Sequence, residues 1–238
     1  MTFGVLCTTG LSQSVNDFYT QVIKPTHNQP IDQRLEQISR SFLGTPYQSP
    51  PLGGGPQDPY NPKPMLRLDA ADCMTFVMTV IASAQTQHPA ELVTNLNRLR
   101  YRHKPYGYFN ERHFPNDWNN DLQAMDILHD ITLSWRDAFN QPHARIAHTP
   151  INRGQWFQKQ LAQKSLSPTL KARAQSHIAT QHLSMSVIPY LPKSHFFQSD
   201  GSPRRYHFDQ IPNGALIEIV RPNWSLEQII GTQLDISH

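Results

Sequence analysis

The stretch from Leu68 to Ala84, LDAADCMTFVMTVIASA, constrains the fold of this chain most strongly. Apolar or small side chains recur along it at the three- and four-residue spacing of one helix face turned toward a core. These residues are Cys73, Phe76, Val77, Val80, Ile81 and Ala84. Asp72 precedes the first of them and is a favoured N-cap type. The pattern therefore predicts a core helix that begins at Cys73.

The predicted position of Cys73 has chemical consequences. In the first turn of a helix, unpaired backbone N–H groups and the positive end of the dipole favour a thiolate, the nucleophilic form of cysteine. The alternative is a small core residue, because cysteine outside disulfides is among the most buried residue types. Spacing alone leaves both interpretations of Cys73 open.

The composition excludes several classes of protein. No apolar run is long enough to span a bilayer, which excludes an integral membrane protein. Basic residues are scattered and the net charge is only +3, so we expect no nucleic-acid partner. Cys7 and Cys73 do not make a disulfide scaffold. The 12 histidines are dispersed, without Cys-x-x-Cys or His-Glu-x-x-His spacing, so we expect no metal site and no cofactor.

Residues 1–29 form an N-terminal segment with two open interpretations. Its start, MTFGVLCTTGLSQS, is apolar and rich in small residues, like the end of a secretory signal peptide without its charged front. A disordered or strand-forming terminus is the alternative. Leu6 argues against lipid attachment at Cys7, because a small residue is needed there. The first interpretation predicts a periplasmic or secreted protein.

Helical patterns dominate the first part of the chain, and β-prone runs come last. Pro30–Leu43 and Pro89–Arg100 each have one apolar face, and Ser167-Pro168 opens a helix that is expected to run to about His182. MSVIPYL, GALIEIV and TQLDISH are the β-prone runs. This order predicts an α+β fold, with an antiparallel sheet packed on the cysteine helix and a large helical insertion between them.

Two segments break the periodic patterns. GTPYQSPPLGGGPQDPYNPKP follows the first helix, and its Gly53–Gly55 either allow close backbone approach to a ligand or relieve a tight turn. No Gly-Lys-Ser/Thr follows, which rejects a nucleotide-binding loop. Residues 101–122 concentrate Tyr, His, Arg, Asp and Trp. They suit either a substrate-contacting wall or a surface loop held by side-chain hydrogen bonds.

In order along the chain, these motifs resemble those of the NlpC-type papain-like cysteine peptidases of bacterial cell walls. That family has a Leu-Gly-Thr-Pro-Tyr turn before a glycine-rich loop, as at Leu43–Tyr47 and Gly53–Gly55. An Asp-Cys pair then opens a buried helix, as at Asp72-Cys73. The two strands that carry its Gly–aliphatic and catalytic His motifs correspond to Gly214–Ile217 and Leu234–His238.

The chain most resembles the N-acetylmuramoyl-L-alanine amidase-like branch. That branch has Asp-Cys-Thr-Thr-Phe, an insertion with Arg–His–aromatic…Asp-Trp, and an Ile-Gly-Thr…Ile-Ser-His ending. The chain matches these three motifs at residues 72–76, 112–118 and 230–238. Two residues depart from the family pattern: Met74 replaces a small hydroxyl residue, and Ala215 replaces an acidic residue before the strand. The resemblance covers about residues 31–238. The family continues with Leu-Gly-Phe and a strand that carries a third polar residue. Residues 30–238 are therefore expected to form one NlpC-like amidase domain that is truncated at its C-terminal end, with His238 poorly held and activity in question.

The resemblance implies cysteine-dependent amide hydrolysis. Cys73 would be the thiolate nucleophile and His238 the general acid–base partner, while the Tyr47 hydroxyl and the Cys73 N–H would stabilise the oxyanion. Five side chains would contact substrate: Asp72, Thr75, Arg112, His113 and Asp117. For Asp72 the alternative is a plain helix cap, and for Asp117 it is loop packing.

The substrate that the resemblance implies is a muropeptide, cut between N-acetylmuramic acid and L-alanine. Two alternatives remain open from the residues. One is cleavage after D-glutamate within the stem peptide. The other is a module that binds muropeptides without catalysis.

Overall fold

The structure is a computed structural model of the 238-residue chain that describes residues 14–137, 139–221 and 235–236. Helix α1 (Val15–Phe18) continues into a π-helix at Tyr19–Ile23 and a 3₁₀ turn at Lys24–Thr26. The longer helices are α2 (Ile31–Arg40), α3 (Cys73–Gln85), α4 (Leu92–Arg100), α5 (Pro115–Ala124), α6 (Arg153–Ala162) and α7 (Pro168–Ala179). The short helices are α8 (Lys193–Phe196) and α9 (Arg205–Phe208). The strands are β1 (Arg145–Asn152), β2 (Leu183–Tyr190), β3 (Val220–Arg221) and β4 (Asp235–Ile236).

Helix α3 begins at Cys73, as the apolar spacing predicts, because Asp72 caps it. Asp72 Oδ1 accepts hydrogen bonds from the Thr75 backbone N–H at 2.8 Å and from the Thr75 hydroxyl at 2.7 Å. The Asp72 backbone N–H donates to Thr75 Oγ1 at 2.9 Å. This reciprocal capping box satisfies N–H groups that no carbonyl within the helix can reach.

The main hydrophobic core is built from α1 to α5. Helices α3 and α4 pack together, and the short connection at residues 86–91 makes them antiparallel. Ile38 of α2 and Trp118 of α5 are fully buried in this core. The antiparallel arrangement places Cys73, at the start of α3, at the same end of the helix pair as Arg100, the last residue of α4.

The core also reaches into the segment before residue 30. Phe18 and Ile23 are buried in it, and the Phe18 ring packs edge-on against Phe42 at a centroid distance of 5.5 Å. Residues 15–26 therefore pack with the domain, and the expected domain boundary at residue 30 stays a prediction. Within the described part of the chain, no helix combines the length and apolarity needed to cross a bilayer.

A second core, which we call the aromatic cluster, lies between the insertion and the loop before α3. Its buried members are Tyr60, Tyr108, Phe157, Leu161 and Ala174. Tyr60 comes from the loop before α3, Tyr108 opens a 3₁₀ turn at Tyr108–Asn110, and the other three residues come from α6 and α7. This cluster joins the loop before α3 to the helices that follow α5.

The fold is mixed α+β, as predicted, but its strands differ in detail. No pattern in the sequence predicts β1, which pairs antiparallel with β2 from Arg145↔Tyr190 to Asn152↔Leu183. Its ladder partner is distant in sequence, and periodicity carries no information about such a partner. Among the described residues, β1–β2 and β3–β4 form two separate two-stranded sheets. One sheet packed on α3 therefore stays a prediction.

The predicted strand GALIEIV is strand only at its end, where Val220 opens β3. Residues 215–219 have no regular structure. They run past two helices instead: an added Cβ at Gly214 would lie 3.3 Å from Asp32 of α2, and Asn119 of α5 donates a hydrogen bond to Glu218 at 3.0 Å.

Candidate functional site

Cys73 is the first residue of α3 and is partly buried. Among the described residues it takes part in no disulfide. The first turn of a helix, with its unpaired N–H groups and the positive end of the dipole, is a position that stabilises negative charge. The predicted location of Cys73 is confirmed, and its role as nucleophile stays a prediction.

Tyr47 lies beside the segment that leads into α3. Tyr47 and Ala71 form a parallel β-bridge. Within it, the Gln48 N–H donates to the Ala71 carbonyl at 3.0 Å, and the Ala71 N–H donates to the Pro46 carbonyl at 3.2 Å. The Tyr47 side chain is 69% exposed, so a ligand can reach it. The bridge holds the Tyr47 backbone next to the start of the cysteine helix, while its oxyanion role stays a prediction.

Asp72 and Thr75 use much of their hydrogen-bonding capacity in the capping box. Thr75 is buried. The second carboxylate oxygen of Asp72, Oδ2, lies 3.4 Å from the Ser49 hydroxyl, at the edge of hydrogen-bonding distance. The cap alternative for Asp72 is confirmed. Because Oδ2 lies outside the capping box, the predicted substrate contact of Asp72 is compatible with the cap and stays a prediction, as does that of Thr75.

Arg112 lies in the interior and closes the C-terminal end of α4. Its guanidinium donates to the carbonyl oxygens of Arg98 at 3.0 Å, Leu99 at 3.1 Å and Tyr101. Its Nε donates to Asp121 Oδ2 at 2.7 Å. The last carbonyls of a helix have no partner within it, and Arg112 supplies partners for two of them. These contacts give Arg112 a structural role, and its contact with substrate stays a prediction.

Asp117 lies in α5 and not in a loop, because Pro115 opens a helix within the segment that seemed irregular from the sequence. It is 9% exposed. Arg153 donates to both of its carboxylate oxygens, with Nε to Oδ2 at 2.9 Å, and Arg102 donates to Oδ2 at 3.0 Å. Packing within the fold accounts for Asp117, and its predicted substrate contact stays a prediction.

His113 is enclosed by aromatic rings and is held as a neutral imidazole. Its ring centroid lies 4.7 Å from those of Tyr108 and Trp156. Its Nε2 lies 2.6 Å from the Tyr108 carbonyl oxygen, so Nε2 carries the proton and Nδ1 is the acceptor. Burial lowers the pKa of His113 below its usual value. A substrate contact through His113, still a prediction, would use the neutral ring.

A cavity of about 50 Å³ lies between His113 and the ion pair of Asp117 and Arg153. Its other polar lining residues include Arg102, His177 and Gln181. A space of this size holds one or two water molecules and not a sugar or a peptide. The structure therefore brings His113 and Asp117 to one small polar cavity.

Arg100 is a structural residue that sequence patterns do not reveal. Its side chain is 1% exposed and pairs with Glu111 at 2.7 Å. It also donates to the Gly53 carbonyl at 3.1 Å. It thereby ties the glycine-rich loop and the segment before His113 to the Cys73 end of the α3–α4 pair. The only signal in the sequence is a basic residue in the last turn of a helix, which is common on solvated surfaces.

The glycine-rich loop is folded onto itself. The N–H groups of Gly53, Gly54 and Gly55 donate to the carbonyls of Pro64, Asn61 and Lys63, each at 2.9 Å. A Cβ on Gly53 would collide with Asn61, and one on Gly54 with Asp58. Gly55 has a φ of +82°, which disfavours other residues. Tight turns within the loop therefore explain the three glycines, and no ligand is needed to explain them.

The predicted site residues that the structure describes fall into two groups. Tyr47, Asp72, Cys73 and Thr75 meet at the start of α3. Arg112, His113 and Asp117 lie around α4 and α5. His238 lies outside the described residues. No group of three His, Cys, Asp or Glu side chains in the described ranges is placed to hold a metal ion.

A family model described as N-acetylmuramoyl-L-alanine amidase-like, or AmiA-like, matches residues 37–238. This chain belongs to the AmiA-like family. No curated protein matches the chain. The family match confirms the amidase-like family predicted from the Asp72-Cys73, Arg112–Trp118 and C-terminal motifs. Membership of the wider NlpC-type superfamily stays a prediction.

Solved structures similar to this AmiA-like chain include two bacterial proteins. One is a protein of the DUF1460 family from Legionella pneumophila str. Philadelphia 1, whose crystal structure gives a TM-score of 0.79. Its sequence is 36% identical, and the match covers 94% of this chain and 78% of the Legionella chain. The other is an N-acetylmuramoyl-L-alanine amidase from Bacteroides uniformis, whose crystal structure gives a TM-score of 0.58. Its sequence is 24% identical, and the match covers 87% of this chain and 78% of the Bacteroides chain. At that identity, the second likeness is one of fold.

Proposed function

We propose that this protein hydrolyses the amide bond between N-acetylmuramic acid and L-alanine in peptidoglycan fragments, with Cys73 as the nucleophile. The observation that carries the proposal is the position of Cys73 at the first residue of a capped helix, beside the exposed Tyr47. Membership of the amidase-like family supplies the reaction class. We further infer that the fold is of the papain-like NlpC type, in which a cysteine opens a core helix.

In the proposed reaction, the Cys73 thiolate attacks the carbonyl carbon of the muramoyl lactyl group. The Cys73 backbone N–H and the Tyr47 hydroxyl donate hydrogen bonds to the oxyanion. The C–N bond then breaks, and His238 protonates the departing amine of L-alanine, which leaves a thioester on Cys73. His238 next deprotonates a water molecule, whose attack releases the sugar acid and restores the thiolate.

Mass spectrometry of defined muropeptides tests the proposal. The wild-type chain and the Cys73→Ala variant are incubated with N-acetylmuramoyl tripeptide, and the products are identified by their masses. The expected products are free intact tripeptide and N-acetylmuramic acid, and Cys73→Ala should reduce their rate of formation by at least about 10³-fold. Tyr47→Phe should keep the products and lower the rate by about tenfold or more, because one oxyanion donor is removed.

Three outcomes contradict the proposal. A shortened stem that remains on the sugar indicates cleavage after D-glutamate. Binding of the muropeptide without turnover indicates a non-catalytic module. Full activity of Cys73→Ala rejects the thiolate mechanism.

This substrate also leads us to propose a periplasmic or secreted location, where the cell wall is accessible. Fractionation of cells that express the protein with its natural N-terminus tests it. Recovery in the cytoplasmic fraction alone would contradict it.

A further inference from the structure

Three histidines meet where α8 and α9 pack against the residues that lead into β1. The ring centroids of His143 and His195 lie 4.1 Å apart, and those of His195 and His207 lie 6.2 Å apart. We call these three residues the histidine cluster. Beside it, the Trp135 ring packs against Phe196 of α8 at a centroid distance of 5.7 Å. The cluster and these two rings join α8 and α9 to the segment before β1.

We propose that the histidine cluster is an acid-sensitive latch that holds α8 and α9 against residues 135–143. The latch is closed while the rings of His195 and His207 are neutral. Protons on these rings release it, which frees α8, α9 and the turn between them. The latch does not depend on the reaction proposed for Cys73.

The carboxylate in contact with the cluster is already bound by one of the histidines. His143 Nε2 lies 2.8 Å from Asp137 Oδ2, and Asp137 Oδ1 accepts the backbone N–H groups of Phe139 and Gln141, each at 2.8 Å. The bond with His143, and then the backbone bonds, lower the pKa of Asp137 to about 2, so this carboxylate stays ionised in mild acid. A proton on His143 is therefore offset by an opposite charge.

His207 takes part in the cluster as a hydrogen-bond acceptor. Trp135 Nε1 donates to His207 Nδ1 at 3.5 Å, a long bond that needs a lone pair on Nδ1. A protonated imidazole carries hydrogen on both nitrogens and cannot accept. Trp135 is only 7% exposed, so its N–H would lose its partner in a mostly buried position. Charging His207 therefore breaks a bond between α9 and the segment before β1.

His195 lies at the centre of the cluster and is surrounded by groups that are, or become, positive. Burial, and then His143, His207, Arg145 of β1 and Arg204 beside α9, lower the pKa of His195. Among the described residues, neither His195 nor His207 has a carboxylate oxygen within 4.0 Å. With His143 charged, a second proton on His195 would place two cations on rings 4.1 Å apart, where they repel each other. The closed latch therefore keeps His195 neutral.

Hydrogen exchange of the wild-type chain, followed by mass spectrometry at pH 7.5 and pH 5.5, tests the latch. The rates are corrected for the intrinsic effect of pH, and peptides from α3 and α4 serve as the internal reference. A histidine that is neutral in the closed state and has an ordinary pKa of about 6.5 in the open state favours opening about tenfold at pH 5.5. The protection of residues 193–208 should therefore fall at least about tenfold between the two pH values, and that of the reference much less.

Three variants separate the charge of the cluster from its packing. His195→Phe keeps a flat ring but cannot take a proton, so it should reduce the fall in protection about tenfold. Trp135→Phe removes the donor to His207 and should weaken protection at pH 7.5 more than at pH 5.5, which a purely structural role would not do. The control is His129→Gln, at a side chain that is 76% exposed, and it should leave the fall unchanged.

Equal protection of residues 193–208 at the two pH values overturns the latch. A fall that His195→Phe leaves unaltered does the same, since charge on His195 would then play no part. An NMR titration of the histidine rings in the wild-type chain needs no substitution in the cluster. Protonation of His195 and loss of protection should share one pH midpoint, and separate midpoints would contradict the latch.

Discussion

The core around α3 and the aromatic cluster of the insertion are stabilised in different ways. In the first, aliphatic side chains of neighbouring helices pack together, and the polar groups of the helix start are satisfied within three residues, as in the capping box of Asp72 and Thr75. In the second, aromatic rings from distant segments meet, and their polar contacts span long separations. Asp58 binds the N–H of Tyr108, for example, and Asp117 binds Arg153.

This difference assigns different tasks to the two regions. The helical core fixes Cys73, the proposed nucleophile, at the start of α3. The aromatic cluster brings the loop from before α3 and helices from after α5 to one place. We therefore expect substitutions in the helical core to affect the start of α3 and global stability, and those in and around the aromatic cluster to affect how the insertion is held against the rest of the chain.

The largest effect that distinguishes the two regions is expected from Trp118→Ala. Trp118 is fully buried in the helical core, so its truncation should lower the free energy of unfolding by about 4 kcal/mol. Urea unfolding followed by circular dichroism measures the loss. Phe139→Ala, at a ring that is 82% exposed, is the control and should change stability by less than about 0.5 kcal/mol. Similar losses of stability in both variants would contradict the buried position of Trp118 in the core.

Asp117→Asn tests the long-range contacts that join α5 to α6. The change leaves Arg153, whose side chain is 18% exposed, without its carboxylate, and should cost about 3 kcal/mol. The matched control is Glu36→Gln, which breaks the exposed pair with Arg40 and should cost about 0.5 kcal/mol or less. Chemical denaturation of both variants measures the difference. If the two losses were equal, the ion pairs around Asp117 would not hold the regions together.

Asp72→Ala tests the local cap of α3. Removing the side-chain acceptor should lower the free energy of unfolding by about 1 kcal/mol, and Asp72→Asn should restore part of it. Thermal unfolding compares these variants with Asp69→Ala, a nearby acid that pairs with Arg67 on the surface. A larger loss from Asp69→Ala than from Asp72→Ala would contradict the capping box.

The smallest expected effect has the opposite sign. Burial raises the pKa of Glu218 above its usual value. The stability that the protonated side chain contributes is therefore fully present below the usual glutamate pKa, and it is lost as the pH rises through the raised pKa of the folded state. Glu218→Gln removes this loss and should stabilise the protein by about 0.5 to 1 kcal/mol at pH 8. At pH 4 the same substitution should give no advantage. A Tm at pH 8 no higher than that of the wild type would show that the ionised carboxylate is well solvated.

Local signals in the sequence predict much of the helical core. The apolar spacing gives the start of α3, and Asp72 and Ser167 are N-caps where the cap preferences place them. Helix α7 ends at Ala179, before the expected end near His182. Helix patterns and caps are properties of neighbouring residues, so one sequence is enough to detect them.

The contacts of the second region are not accessible in the same way. The hydrogen bonds of Arg112 to the end of α4 and the buried pair of Arg100 with Glu111 both depend on partners that the fold brings together. Strand β1 is another such case, since its ladder partner β2 lies beyond two helices. Motif order compensates in part, because it predicts the AmiA-like family from residues on both sides of the insertion.

One departure from the family motif has a physical account. Met74 stands where relatives carry a small hydroxyl residue, and its side chain packs against the helical core. A flexible thioether side chain fills irregular space of this kind. The residue after the cysteine therefore contributes to packing.

The bridge between Tyr47 and Ala71 is made by main-chain atoms alone, and the Tyr47 ring projects into solvent. The architecture of this corner is therefore independent of the side chain at position 47. Phenol, aromatic hydrocarbon or imidazole can be exchanged there without loosening the tie to α3. Position 47 is thus a natural place to retune the electrostatics of the site, by selection or by design, at little cost to the fold.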